Sequence, residues 1–153
     1  MKRLPYRRKT GLTSGSTARP SDVLAANLYA YRVLQRMSQE ELAIRMTELD
    51  HGWSRSTVSD VERGGRRVTT DEMFGLAISM GVSVAHLLDP AGPDQRRQLS
   101  LDVGLSGPDA ERIAPNDAHL WVIGRAVIRF SAEEDRRIEV ALIDGATAVN
   151  GGD

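Results

Sequence analysis

The chain contains no cysteine. A disulfide framework, a thiolate zinc site and a cysteine nucleophile are therefore excluded, and a reducing cytoplasm is compatible with this usage. Aromatic residues are scarce, with two Trp, three Tyr and two Phe in 153 residues. Any core must be built mainly from aliphatic side chains. No apolar run approaches the roughly 20 residues needed to span a bilayer. The N-terminus is basic, but no apolar stretch follows it, unlike a secretory signal. His51, His86 and His119 are scattered without ligand spacing, so no metal is expected. Gly64-Gly65 lacks the spacing of a phosphate loop, and no nucleophile–base set stands out. Neither an enzyme nor a cofactor is expected.

What is present is an uneven distribution of charge. The net charge is only −1. Residues 1–20 nevertheless carry Lys2, Arg3, Arg7, Arg8, Lys9 and Arg19 with no acid. Acids outnumber bases in the rest of the chain, but Arg63, Arg66 and Arg67 cluster in one short stretch. A phosphate backbone reads local charge, so a near-neutral total does not exclude DNA. Residues 1–20 are also rich in Gly, Ser, Thr and Pro and read as a flexible basic arm. Residues 21–90 are densely patterned. Asp89-Pro-Ala-Gly-Pro93 then punctuates the chain, and residues 91–118 read as a linker. Residues 119–153 read as a dimerisation segment with a disordered tail.

The patterned region reads as five capped helices. The first is expected from near Asp22 to Arg36, with Leu24, Leu28 and Tyr31 on one face. Val33 and Leu34 lie off that face. Ser38-Gln-Glu-Glu41 is a capping box that starts a second helix, with Leu42, Ala43 and Met46 facing inward. Ser54 is a good N-cap for a third helix over 54–63, whose buried edge is only Val58 and Val61. Its thin apolar edge and small polar outer residues suit a groove better than a core. Gly64-Gly65 stops it. Thr69-x-x-Glu72 opens a fourth helix, carried by Met73, Leu76, Ala77 and Met80 and ended by Gly81. Ser83 caps a short fifth with Val84, Leu87 and Leu88.

Three stretches, Met37–Ala43, Ser54–Gly64 and Leu76–Ser83 followed by Leu87-Leu88, resemble the Xre/lambda-repressor-like helix-turn-helix family. Their order and register match from about residue 24 to 88. The resemblance implies a mainly α fold with a five-helix DNA-binding domain over 21–90; the residues beyond it read as a small C-terminal region of strand and/or helix. It implies that the second helix crosses the DNA backbone and the third lies in the major groove. Carried over position by position, Arg55, Ser56, Ser59 and Asp60 are the base-facing set. Gln39 is a phosphate or edge contact, and Arg63, Arg66 and Arg67 form a backbone clamp. The arm residues Lys2, Arg3, Arg7, Arg8 and Lys9 are further backbone candidates. Side-chain chemistry agrees: Arg pairs bidentately with guanine, and Ser bonds either kind of base edge. Asp60 can accept from cytosine or equally pair with Arg63 or Arg55. Glu62 fits a structural role better. One departure is visible. Thr47–Trp53 makes the connection between the second and third helices longer than the family's tight turn, so either the second helix extends through Leu49 or a loop bulges out. Trp53 is expected to pack inward just before the third helix.

The C-terminal third is less determinate. His119–Phe130 is rich in β-branched and aromatic residues, as in a strand, yet Leu120, Ile123, Ala126, Val127 and Phe130 also fit a helical stripe. If it is a strand, residues 98–104 or the same segment of a second chain are candidate partners. Ser131 and Glu134 suggest a capping box for a helix over 132–143. The leading function is a cytoplasmic, nucleoid-associated regulator, a repressor by family base rate, binding double-stranded DNA at a palindromic operator as a homodimer. The alternative is an antitoxin-type or other interaction module whose C-terminal segment binds a partner protein.

Overall fold

The computed structural model describes residues 12–104, 112–131 and 138–143. Its order of elements is β1 (Thr17–Ala18), α1 (Pro20–Leu34), α2 (Gln39–Glu48), α3 (Arg55–Glu62), α4 (Thr70–Met80), α5 (Val84–Leu88), β2 (Ser100–Leu101), α6 (Pro115–Val122), β3 (Ala126–Phe130) and β4 (Ile138–Leu142).

All five expected helices are present, and their ends follow the local chemistry. Glu41 N–H donates to Ser38 Oγ at 3.0 Å while Ser38 N–H donates to Glu41 Oε2 at 2.6 Å, which closes the expected box. The box at Thr69 and Glu72 closes in the same way. Ser83 Oγ accepts from His86 N–H at 3.0 Å. The first helix starts earlier than expected, because Pro20 supplies a pre-set φ at its first turn. Gly81 ends α4 in the left-handed region at φ 66°, where a Cβ would be strained.

The helical core gathers Leu28, Leu42, Met46, Val58, Leu76 and Leu87, all fully buried. Val33 and Leu34, which fit no inward stripe, are 49% and 68% exposed. Asn27 ties α1 to α5: its fully buried side-chain amide donates to Leu87 O at 3.0 Å and Asp89 O at 2.8 Å. It satisfies carbonyls that the helix end leaves open.

The longer connection between α2 and α3 is resolved mainly by extension of the helix. α2 continues to Glu48, Leu49 caps it, and Asp50 turns the chain in the left-handed region at φ 64°. The His51 ring then lies against α4 at Gly75, where an added Cβ would stand 2.7 Å from Nε2. Trp53 packs inward as expected, 6% exposed.

The rest of the chain departs further from the sequence reading. Residues 91–118, expected as a linker, contribute to a second core of Ala18, Val23, Leu99, Leu101, Ile113 and Ala118. Within residues 1–20, Thr17 and Ala18 form β1, which pairs in parallel with β2. The reason is burial: Leu99 and Leu101 are fully covered only when the chain folds back on α1. Asp89 reinforces this return, because its buried carboxylate meets His119 Nδ1 at 2.9 Å and accepts from Gln95 Nε2 at 2.9 Å. Residues 119–130 are neither all strand nor all helix: α6 runs to Val122, and β3 begins at Ala126 after a turn with Gly124 at φ 76°. The helix expected over 132–143 is replaced at its C-terminal end by β4, antiparallel to β3 in a register that pairs Ala126 with Leu142 and Phe130 with Ile138. Residues 132–137 lie outside the described residues. Ile138 and Val140 are β-branched, and pairing with β3 satisfies a backbone that a lone strand leaves open.

Candidate nucleic-acid interface

A groove of about 800 Å3 runs between α2 and α3. It is lined from α3 by Arg55, Ser56 and Ser59, with Arg63 at the helix end, and from α2 by Gln39 among others. The geometry of α3 follows from its sequence. Val58 and Val61 bury one edge, at 0% and 2% exposure, so the intervening polar residues turn outward. Ser54 Oγ accepts from Thr57 N–H at 3.3 Å and fixes the first turn that carries Arg55 and Ser56.

The angle between α2 and α3 is held by a buried ionic cluster. Glu62, 6% exposed, accepts from Arg32 Nε at 2.6 Å and from Gln39 Nε2 at 2.8 Å. Arg32 also donates to Met37 O at 2.8 Å, so α1, α2 and α3 meet at one carboxylate. Such a paired, hydrogen-bonded acid is tolerated in a buried position, and loss of one partner strands the other.

A second cluster braces the start of α4. Arg66 Nη2 meets Glu72 Oε1 at 2.6 Å, Trp53 Nε1 donates to the same oxygen at 2.8 Å, and Thr69 N–H donates to Oε2 at 2.9 Å. The Arg66 guanidinium lies over the Trp53 ring at 5.2 Å. The Arg66 hydrogen bond, with help from Thr69 and Trp53, lowers the Glu72 carboxyl to about 2. The same bond raises the Arg66 guanidinium.

A helix-turn-helix family model matches residues 28–87, which span this groove and both clusters. A hypothetical transcription factor from Neisseria is 34% identical, over 50% of this chain and 79% of its own, with a TM-score of 0.41. The restriction-modification controller protein C.AhdI from Aeromonas hydrophila is 30% identical, over 44% of this chain and 94% of its own, with a TM-score of 0.39. The chain belongs to the Xre/Cro-type helix-turn-helix family. It is a DNA-binding transcription regulator of that type. No curated protein matches the chain.

Within the helix-turn-helix domain, the residues singled out from sequence separate into three groups. Arg55, Ser56, Ser59, Gln39 and Arg63 share the groove. Asp60 is not among its lining residues and is ion-paired with Arg63. Arg66 and Arg67 line a different cleft, beside the first turn of α1. Lys2, Arg3, Arg7, Arg8 and Lys9 lie outside the described residues. The groove also contains residues that sequence reasoning passed over: Glu40, Ile44, Thr47 and Glu48 of α2. Their spacing of three and four marks the outer face of that helix, and only the inward face was read. Arg32 was missed as well, since its partner Glu62 is 30 positions away. Among the described residues no group of three or more metal-ligating side chains occurs, and no helix is long and apolar enough to cross a membrane.

Proposed function

We propose that this regulator is a repressor that binds a two-fold symmetric duplex operator as a homodimer, with α3 in the major groove. The observation that carries the reading is the single groove shared by Arg55, Ser56, Ser59 and Gln39. Arg55 reads guanine O6 and N7, and Ser56 and Ser59 read adjacent base edges. Gln39 and Arg63 meet the phosphates that flank the groove. Asp60, already paired with Arg63, orients that arginine and accepts from a cytosine amino group only when the pair opens. Glu40 and Glu48 repel phosphate from the outer edge of α2, which favours docking on the α3 side. Arg67 and the arm residues Lys2, Arg3, Arg7, Arg8 and Lys9 supply further charge to the backbone.

The C-terminal region supports dimerisation. On one face of the β3–β4 hairpin, Phe130 is 82% exposed, Leu142 42% and Val140 39%. A lone two-stranded hairpin is marginal in water, and its apolar face is continuous with the second core through Ile128 and Ile138. In the proposed division of the chain, residues 21–90 read DNA, residues 91–118 join the two parts, with Leu99, Leu101, Ile113 and Ala118 clustered around Val23 of α1, and residues 119–153 pair the protomers. The same exposed hairpin favours a second reading, an interaction module that seats a different protein.

Selection of bound sequences from a random duplex pool tests both. A two-fold symmetric consensus with half-sites about 10 base pairs apart is the expected result. No enrichment, together with a monomeric chain in solution, overturns the operator reading in favour of the interaction module.

A further inference from the structure

A second concavity, of about 700 Å3, opens between the first turn of α1, the loop joining α3 to α4, the end of α5 and the residues just after β2. Its volume is in the range of small-molecule sites. Leu24, Val61, Met73 and Leu88 provide an apolar lining, and the first two are nearly inaccessible at 7% and 2%. Arg19 and Arg67 stand at its margin. Both are exposed, and neither has an ion-pair partner among the described residues.

The two halves of this lining ask for an amphipathic ligand. A phosphate backbone has no use for a recessed apolar surface, whereas an organic acid uses both parts. Guanidinium groups bind carboxylates strongly, through paired N–H donors. The charge inventory selects a monoanion. The three arginines at the cleft, Arg19, Arg66 and Arg67, face Asp102 in the lining and the Glu72 that holds Arg66. One positive charge is left over. Val103, 41% exposed, brings an apolar side chain to the same opening.

We propose that this cleft binds a small monocarboxylic acid, its apolar body on the accessible Met73, Leu88 and Val103 and its carboxylate on Arg19 and Arg67. The ligand joins the helix-turn-helix domain to the strand that follows it. It also withdraws Arg67 from phosphate, so occupancy weakens DNA binding; this last clause alone rests on the function proposed above.

The test is calorimetric titration of the full chain, without DNA, using octanoate as the probe and 1-octanol as its uncharged counterpart. Saturable octanoate binding with a Kd below about 1 mM is expected, with 1-octanol weaker by about tenfold or more. Arg19→Gln with Arg67→Gln is expected to reduce octanoate affinity by about tenfold, and Val103→Asp, which places an acid at the opening without touching the core, to reduce it similarly. Unchanged helicity of both variants by circular dichroism separates lost binding from lost folding. Absence of saturable binding, equal binding of 1-octanol, or equal binding by the double variant overturns the proposal. If octanoate fails to bind but the double variant loses affinity for duplex DNA, the margin is a phosphate contact and the acid site is overturned. Because the titration contains no DNA, its failure leaves the operator reading standing.

Discussion

Arg55 and Glu72 are both charged residues near a helix start, yet the structure gives them opposite surroundings. Arg55 is exposed at the first turn of α3 and lines the groove. Arg55→Ala is expected to weaken operator binding by about 1–3 kcal/mol while largely sparing nonspecific binding. Equal losses on operator and random duplex, measured by competition, would remove its base-reading role. Glu72 is 8% exposed and accepts from Arg66, Trp53 and Thr69. Because Arg66 chiefly lowers its carboxyl from 4.5 to about 2 in the folded state, it stabilises the fold above the unfolded value, and this contribution is lost as pH falls from 4.5 toward 2. Glu72→Gln is expected to cost about 1–3 kcal/mol near neutral pH. Thermal melts from pH 7 down to about 2 should show the gap between wild type and variant closing in the acid range. A gap independent of pH would rule out the ionised carboxylate as its source. Glu72 was legible in the sequence only as a capping partner. Its bonds to Arg66 and Trp53 depend on how the longer α2–α3 connection delivers Trp53, and no local pattern reports that.

At the scale of elements, helix starts were readable and strand pairing was not. Ser38, Ser54, Thr69 and Ser83 each cap the helix that the sequence assigned to them. A cap is made within three residues, so its signal is local. Ser131 and Glu134 offered a similar local signal, yet Ile138–Leu142 is a strand. The competing term is cross-strand pairing with β3, which joins residues about a dozen positions apart. That hairpin carries the dimer prediction. Phe130→Ser removes a side chain that is 82% exposed and is expected to change monomer stability by less than about 0.5 kcal/mol. It should nevertheless shift the chain from dimer to monomer in analytical ultracentrifugation. A variant that stays dimeric would move the interface away from β3 and β4.

At the scale of the whole molecule, the two cores share α1. Leu24 and Leu28 serve the helical domain while Val23 serves the second core. The segment after Asp89 is therefore attached to the DNA-binding domain, held by Asp89 with His119 and by β1 with β2. Truncations follow from this. Deletion of residues 1–11 removes Lys2, Arg3, Arg7, Arg8 and Lys9 but leaves β1 intact. It is expected to flatten the dependence of DNA affinity on salt concentration without lowering thermal stability. An unchanged slope in titrations at several salt concentrations would show that these residues do not contact phosphate. Deletion of residues 1–19, by contrast, also removes Ala18 from the second core and is expected to destabilise the chain.

The order of residues alone specifies the helical domain: its five helices, the caps of the last four, the inward Leu28, Leu42, Met46, Val58, Leu76 and Leu87, and the family. These depend on periodicities and caps that act within one or two turns, and on motifs whose register is set by nearby residues. It also determined that α3 has a polar outer face, because two valines three residues apart leave only one side to bury. Tertiary structure alone decided which polar residues share the groove, that Asp60 is not among them, and that Arg66 joins Glu72 and Trp53. It alone decided that the stretch after Asp89 folds back on α1. Those outcomes turn on pairings such as Arg32 with Glu62, Asp89 with His119 and Thr17 with Ser100. Each joins residues 30 or more positions apart, and their free energy appears only once the intervening chain has folded.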